Sequence, residues 1–212
     1  VTRSVFYAPQ YVAIAKGFME EEGLEVELTT GQGADKVMTA VLANQSDIGF
    51  AGPEASIYVY NEGKEDYCEV FAQLTQKDGS FLVSREKTDN FSWKDLKGKT
   101  IAIPSVQSSQ NILINELLER NGMSKNDVNI IQMSPTEMPF SLASGAISGH
   151  CVAEPYGAVS ISKNFGKVLA TSDELWNNSL CCALVLNGNI RSDEKVTNEL
   201  IEKYYRAAEQ LE

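Results

Sequence analysis

Two glutamates stand where predicted strands give way to predicted helices, and carboxylates at such places can do chemistry. Glu154 follows the apolar run of HCVAEPYGA, with Tyr156 close behind it, and Glu54 stands in AGPEA. A pair of carboxylates can serve as general acid and general base. The N-terminus of a helix, however, stabilises an ionised carboxylate and so disfavours a proton donor. We therefore predict a binding or structural role for both glutamates, and no catalytic residue.

Hydroxyl and amide side chains gather in PSVQSSQN, a turn between a predicted strand and the next helix. They belong to Ser105, Gln107, Ser108 and Ser109. Free backbone N–H groups at a helix N-terminus, together with such hydroxyls, can bind an anion or a polar oxygen without Lys or Arg. The same serines can instead serve only as helix caps. A phosphate-binding P-loop is excluded, because its Gly-Lys-Ser/Thr is missing.

Two further turns lie at predicted strand ends. FYAPQY carries Tyr7 and Gln10, with Pro9 opening a helix. An aromatic ring there can stack on a planar ligand, or it can belong to the core. GQGAD places Gly31 and Gly33 before a helix but is not GxGxxG, so it favours a tight turn with positive φ over a dinucleotide site.

The side chains that most hydrolases and metal sites need are scarce. His150 is the single histidine, so a metal site has no second histidine to draw on, and without a G-x-S-x-G elbow hydrolase chemistry would rest on unusual pieces. The four cysteines, Cys68, Cys151, Cys181 and Cys182, show no CxxC spacing. We predict buried thiols rather than a zinc site, and no metal or other cofactor.

Net charge and hydropathy exclude two classes of partner. The chain has 18 basic and 29 acidic residues, a net charge of −11 and a pI near 4.7. Such a surface repels nucleic acid and anionic membranes. No apolar run approaches the ~18 residues of a membrane-spanning helix, and we expect any signal peptide or lipid anchor to lie outside this sequence.

Strand and helix patterns alternate along the whole chain. Period-two or short apolar runs predict strands at 1–7, 24–30, 46–52, 69–74, 80–84, 100–104, 128–133, 146–153, 167–171 and 179–189. Helical spacing predicts helices at 11–23, 31–45, 53–63, 108–122, 134–145, 155–166 and 193–212. This alternation is typical of an α/β fold with parallel sheets flanked by helices. The polar segment 85–99 is the best candidate for a connection between two lobes.

A repeated order of sequence features supports the two-lobe hypothesis. Residues 39–55 and 140–156 share a helix ending near Leu-Ala, a polar turn, a short apolar strand and a Glu beside a Pro. Ligands of open α/β sheets bind outside the carboxyl ends of strands. If the lobes face each other, Glu54 and Glu154 would stand on opposite walls of a cleft.

Several segments together resemble one family. They are APQYVAIAKGFMEEEGLEVEL, LANQSDIGFAG, LTQKDGSFLV, DLKGKTIAIP and AEPY. The chain is similar over essentially its whole length to the solute-binding proteins of ABC importers, in the branch that takes nitrate, sulfonates, taurine and thiamine-precursor pyrimidines. Two positions depart from the family pattern: Ser148 replaces an aspartate, and Ala153 replaces a frequent tryptophan. The ligand therefore cannot be copied from any one member.

The resemblance implies a two-lobed periplasmic-binding-protein fold. Residues 1–84 and 179–212 would form lobe one and residues 85–178 lobe two, with the hinge near 80–99 and 172–180. We expect ligand contacts from Tyr7, Gln10, Gly52, Glu54, Gln76, Ser105, Gln107, Ser108, Ser109, Glu154 and Tyr156. The implied partners are one small-molecule ligand, an ABC permease and its ATPase, and the implied form is a monomer. The location would be periplasmic or extracellular, with a lipoprotein anchor in the full-length form.

Two other functions remain open. An enzyme on the same two-lobe fold, of a pyrimidine or menaquinone pathway, would need cofactor-binding motifs that we do not find. A ligand-sensing domain cut from a larger receptor would share all the features above. The helix running to Glu212 suggests that the chain has been cut. The two glutamates and the missing arginine slightly favour a ligand with N–H donors, such as an aminopyrimidine, over an oxyanion.

Overall fold

The chain divides into two compact units. A computed structural model describes residues 3–63, 65–75, 77–86, 90–174, 183–186 and 188–211. The first unit comprises Val1–Thr75 and Cys182–Glu212, and the second comprises Gln76–Cys181. Strand 80–84 lies in the second unit because it pairs there with strands on both sides. The predicted lobe boundaries, after residues 84 and 178, differ from these unit boundaries, and the division into functional lobes stays a prediction.

The first unit is a three-stranded sheet with helices around it. Its helices are α1 Ala8–Ala15, α2 Phe18–Glu21, α3 Ala34–Leu42, α4 Pro53–Asn61, α8 Gly188–Ser192 and α9 Glu194–Glu209. Its strands are β1 Ile48–Ala51, β2 Glu69–Gln73 and β8 Ala183–Leu186. The sheet order is β1-β8-β2. Both ladders are antiparallel, so the expected mostly parallel sheet does not describe this unit.

Two predicted strands of the first unit are wrong. In place of a strand at 1–7, Ser4 opens a 3-10 turn over Val5–Tyr7, and its Oγ accepts from the Phe6 N–H at 3.3 Å. Residues 24–30 form no ladder with any described strand. Local alternation creates only a strand-compatible surface, and a strand needs a neighbouring edge as well. The predicted helix at 11–23 also differs, because Gly17 adopts φ 81° and separates α1 from α2.

The second unit is a five-stranded mixed sheet. Its strands are β3 Ser80–Ser84, β4 Thr100–Ile103, β5 Asn129–Gln132, β6 Gly149–Ala153 and β7 Lys167–Thr171, in the order β5-β4-β6-β3-β7. Its helices are α5 Ser109–Arg120, α6 Met138–Ser144 and α7 Tyr156–Ser162. β4 runs parallel to β5 and β6, whereas β3 runs antiparallel to β6 and β7. The α/β fold class is confirmed.

Part of the polar segment 85–99 packs into this unit. Ser92 and Asp95 form a capping box around the short 3-10 turn Trp93–Leu96. Leu96 is buried in the core, and the Phe91 and Trp93 rings pack edge to face with centroids 5.3 Å apart. The few apolar residues of the segment are therefore its attachment points.

Helix α5 supplies much of the core of the second unit. Leu113, Ile114, Leu117 and Leu118 are 0–5% exposed and pack with Ile101 and Ile103 of β4. The i, i+4 spacing turns these side chains to one helix face. This packing fixes the N-terminus of α5 beside the end of β4.

Replacing Ile114 by Ala should lower the free energy of unfolding by ~2–5 kcal/mol, because a fully buried side chain leaves a cavity. Ile112→Ala on the same helix is the matched control, since Ile112 is 36% exposed and should cost less than ~1 kcal/mol. Urea unfolding followed by circular dichroism measures both. Equal losses would contradict the assigned helix face.

Candidate functional site

The strand topology of the second unit brings several chain segments to one edge of its sheet. The last residues of β4 and β6, Ile103 and Ala153, lie at this edge because the two strands are parallel. Ser80, the first residue of β3, pairs with Ala153, and Phe81 pairs with Thr171 at the end of β7. We call this the strand-end edge. Polar side chains that follow these residues converge here, as expected for ligand sites of α/β sheets.

The serines of the turn ahead of α5 are buried, and their hydrogen bonds hold the turn. Ser105 is fully buried, and its Oγ accepts from the Gln107 N–H at 3.1 Å. Ser108 is the N-cap residue, yet its hydroxyl donates to the Ser105 carbonyl at 2.6 Å and makes no cap hydrogen bond. Ser109 is 9% exposed. Ser108 is therefore not a simple helix cap in the structure. All four predicted contacts of this turn, the half-buried Gln107 included, lie together at the strand-end edge.

A second group of polar residues at this edge is absent from the predicted contacts. The Gln110 amide donates to Ser80 Oγ at 2.6 Å, and Asp78 Oδ1 accepts from the Ser80 N–H at 2.7 Å. The Ser172 hydroxyl donates to the Asp78 carbonyl at 2.7 Å. All four residues are at most 7% exposed. The network links residues that are 30 and 94 positions apart, which no local pattern reveals.

One local signal for this network exists in the sequence. Asp78 and Gly79 precede the predicted strand SFLVS, and an Asp in such a place turns the chain by accepting from the N–H two residues on. The structure has this hydrogen bond, from Ser80 to Asp78. The turn could be predicted from sequence, but its burial could not. Gln76, a predicted contact in the same turn, lies outside the described residues.

Glu154 holds the start of α7. Its Oε2 accepts from the Ala158 N–H at 2.8 Å, and Oε1 lies 3.4 Å from the position of a Cβ on Gly157. Tyr156, the first residue of α7, packs half-buried against the core cluster of Val83 and Met138. These contacts favour a structural role for Glu154 at the start of the helix. Ligand contact by Glu154 or Tyr156 remains a prediction.

The predicted contacts of the first unit fall into two places. Gly52 is the N-cap of α4, and the Glu54 carboxylate folds back over it within the first helical turn. Glu154 instead precedes its helix. The repeated order of helix, strand and helix in residues 39–55 and 140–156 is therefore present, but the two carboxylates do not occupy equivalent positions. Tyr7 and Gln10 both line a cavity of about 650 Å³ inside the first unit.

Tyr7 and Gln10 behave differently in that cavity. Tyr7 is 6% exposed, and its ring packs edge to face on Phe50 with centroids 4.4 Å apart, as a core aromatic does. Gln10 is 8% exposed, and its Oε1 has no hydrogen-bond partner among the described residues. A buried acceptor without a donor is costly, so this oxygen marks a place where a donor is expected. In the neighbouring GQGAD turn, Gln32 rather than a glycine has positive φ, at 62°.

His150 lies in β6 and is fully buried. Ser160 Oγ donates to the Tyr156 carbonyl at 3.2 Å, so the 2.8 Å contact with His150 Nε2 requires the ring to donate. Burial lowers the pKa of His150 to about 4, which keeps the ring neutral near pH 7. The histidine is thus accommodated within the fold, as expected for a lone histidine in a strand.

Cys68 and Cys151 are both buried, as predicted, and Cys181 and Cys182 lie outside the described residues. Burial, and to a lesser extent the charge of Asp78, raise the pKa of the Cys151 thiol. Within the described ranges, no three or more His, Cys, Asp or Glu residues cluster as metal ligands. No helix in those ranges is both long and apolar enough to cross a membrane.

Comparisons with known proteins bear on the family and the fold of this chain. A model of the NMT1-like family matches residues 2–212. YtlA of Bacillus subtilis, provisionally named a binding protein, is 40% identical over 176 residues, which are 82% of this chain and 53% of YtlA. The chain therefore spans about half of that relative's length.

Two solved structures share the fold at low sequence identity. The ligand-binding component of an ABC-type import system from Staphylococcus aureus aligns with a TM-score of 0.77 and 21% identity, over 96% of this chain and 70% of that one. The periplasmic nitrate-binding protein NrtA of Synechocystis gives a TM-score of 0.80 and 18% identity, over 96% and 58%. The predicted periplasmic-binding-protein fold class is confirmed.

Replacing Glu154 by Ala should lower the free energy of unfolding by ~1 kcal/mol, because the Ala158 N–H loses its acceptor. Glu154→Gln keeps an oxygen acceptor and should cost less than half as much. Thermal unfolding at neutral pH measures both variants. Equal losses for the two would show that the charge, and not this hydrogen bond, carries the stabilisation.

Acid should weaken the fold through His150. The pKa of His150 is about 4 in the folded chain and near 6.5 when unfolded, so only the unfolded chain gains a proton between these values. Its contribution is complete above pH 6.5 and falls by at most ~1.4 kcal/mol per pH unit below it. Melting temperatures from pH 7 to 5, compared with those of His150→Gln, isolate this effect. Parallel curves would contradict it.

Proposed function

Because the chain belongs to the NMT1-like family, we propose that it is the solute-binding receptor of an ABC importer. In this role it binds one small organic molecule outside the cytoplasm, performs no chemistry on it and delivers it to a permease with a paired ATPase. The solved structures named above support the import role, since one is the ligand-binding component of such a system. The implied location is periplasmic or extracellular, with a lipid anchor in the full-length form.

The observation that carries the proposal is the buried polar surface of the strand-end edge. Ser80, Ser105, Ser108 and Gln110 are each at most 7% exposed, and every one takes part in a hydrogen bond there. Rigid elements hold these groups, because α5 packs on β4 through its apolar face. Hydroxyls and amides that are already held in place can bind a small polar solute without losing side-chain conformational entropy on binding.

The charge of this surface bears on the class of ligand. The four side chains are neutral, and Asp78 adds a carboxylate among them. An oxyanion such as nitrate or a sulfonate would approach that negative charge, and no member of the network is a Lys or Arg, although the exposed Lys77 precedes Asp78 in the chain. The N–H donors of a neutral or amine-bearing ligand would instead meet the oxygen acceptors of this network. We therefore favour an aminopyrimidine-like solute over the nitrate, sulfonate and taurine class.

Native mass spectrometry of protein purified without denaturation tests the function. We expect one small molecule bound at 1:1 stoichiometry. Isothermal calorimetry with an aminopyrimidine, taurine, nitrate and an alkanesulfonate should then give heat for the aminopyrimidine. An empty protein that binds no member of this panel would overturn the ligand classes. Turnover of a bound molecule would overturn the non-catalytic role.

Removing one hydroxyl tests the place of binding. Ser108→Ala deletes the donor to the Ser105 carbonyl and should weaken the affinity for the ligand ~5- to 100-fold. Ser162→Ala is the matched control, because the Ser162 hydroxyl donates to its own helix at the far end of α7 and is exposed. Calorimetry gives both affinities, and melting temperatures show whether each variant is folded. Unchanged affinity in folded Ser108→Ala would remove this turn from the site.

A further inference from the structure

Asp78 places a carboxylate inside the second unit, in the turn that leads into β3. The residue is 4% exposed, although aspartate is almost never fully buried without a charged partner. Its Oδ1 accepts from the Ser80 N–H at 2.7 Å, and its backbone carbonyl accepts from the Ser172 hydroxyl at 2.7 Å. Both donors are neutral and belong to residues that are at most 2% exposed. The carboxylate is therefore held in place and shielded from water.

No positive side chain within the described ranges is paired with this carboxylate. None of the ion pairs between described residues includes Asp78, and Lys77, its neighbour in the chain, is exposed. After burial itself, the Asp78 charge is the second cause that raises the pKa of the Cys151 thiol in the core. Moving a charge out of water is costly unless an opposite charge offsets the lost hydration. The position therefore suits a cation that the described part of the chain does not supply.

The turn at Asp78 needs an acceptor but no charge. An asparagine side chain carries the same kind of oxygen and makes the same turn, by accepting from the N–H two residues on. A buried asparagine also avoids the cost of burying a carboxylate. The hydrogen bond to Ser80 thus explains an oxygen at position 78, and the negative charge requires another reason.

The strand-end edge is accessible beside this carboxylate. Ser80 and Ala153 lie opposite each other in the ladder of β3 and β6, so their side chains project to the same face of the sheet. Ser80 is 1% exposed, whereas Ala153, with only a methyl group, is partly exposed. A solute that contacts Ala153 on this face would lie close to the side chains that bind Ser80, which are those of Asp78 and Gln110.

We propose that Asp78 is the specificity-determining residue of the strand-end edge and that it binds a positively charged nitrogen group of the solute. Such a group supplies the opposite charge that the buried carboxylate lacks and donates N–H hydrogen bonds to its oxygens. A protonated aminopyrimidine belongs to this class, because its ring N–H and its amino group form a planar pair of donors that matches two carboxylate oxygens. Oxyanions are rejected by like charge. This inference rests on the proposed receptor function and adds the charge of the solute to it.

Replacing Asp78 by Asn removes the charge and keeps the turn, since the asparagine oxygen can still accept from the Ser80 N–H. Calorimetry with 4-aminopyrimidine should give an affinity at least tenfold weaker in Asp78→Asn than in the wild-type chain. The same titrations in two buffers of different ionisation enthalpy measure proton uptake. We expect uptake of about one proton per bound 4-aminopyrimidine in the wild-type chain, because the bound form is the cation.

Asp95→Asn is the matched control, because Asp95 also accepts from a backbone N–H, that of Ser92, but in an exposed 3-10 turn. This variant should bind 4-aminopyrimidine as the wild-type chain does.

Melting temperatures of protein refolded without solute give a second readout that needs no ligand. Asp78→Asn should melt at the same temperature as the wild-type chain or higher, because it removes a buried charge that has no counter-charge. A melting temperature several degrees lower would show that the protein itself uses this charge for stability, and would overturn the proposal.

Failure of this inference can be told from failure of the receptor function. Equal affinity for 4-aminopyrimidine in the wild-type chain and Asp78→Asn, or binding without proton uptake, overturns the role of Asp78 and leaves the receptor function in place. The same conclusion follows if native mass spectrometry identifies a bound molecule without a basic nitrogen, or if only nitrate or methanesulfonate binds. A chain that retains no molecule and binds none of these probes overturns both proposals.

Discussion

Strand β8 holds the first unit together, because it lies between β1 and β2 and hydrogen-bonds to both. All four of its residues are at most 2% exposed. Its side chains enter the two clusters on opposite faces of the sheet, with Val185 on one face and Leu184 on the other. The sheet, and with it the cores on both its faces, therefore depends on a strand that the chain reaches only after the whole second unit.

The second unit is organised around a different constraint, which is the satisfaction of buried polar groups. Its sheet brings Ser80 and the end of β4 to one edge, and Gln110 spans the gap between α5 and β3. Asp78 and Ser172 are held in the same network by backbone and side-chain hydrogen bonds. Because each of these buried polar groups has a hydrogen-bond partner, the polar edge does not destabilise the core beneath it. That combination of burial and polarity is what a solute-binding surface requires.

Sequence patterns predicted the second unit well and the first unit less well, for a physical reason. Helices such as α5 and α9 carry their signal locally, in apolar spacing and caps, and both lie where the pattern puts them. Strands are decided by their neighbours. LEVELTT has the alternation of a strand but no described partner, so periodicity could not predict its state.

The candidate site shows the same division. The Ser105 turn follows from a run of serines before a helix, and Glu154 from its place after β6. The link from Gln110 to Ser80 could not be predicted, because it joins residues 30 apart through burial. Resemblance to a known family predicted the periplasmic-binding-protein fold, which local patterns alone could not, because it combines several segments that are each weakly specific.

The arrangement of the two units along the chain has a consequence for biosynthesis. The second unit is one continuous segment, Gln76–Cys181, whereas the first is built from both ends of the sequence. During synthesis or export the second unit can fold as soon as it emerges, because all its strands are then present. The first 75 residues must wait with β1 and β2 unpaired until β8 arrives. Until then the apolar side chains of the first unit lack the packing that Leu184 and Val185 of β8 provide on the two faces of the sheet.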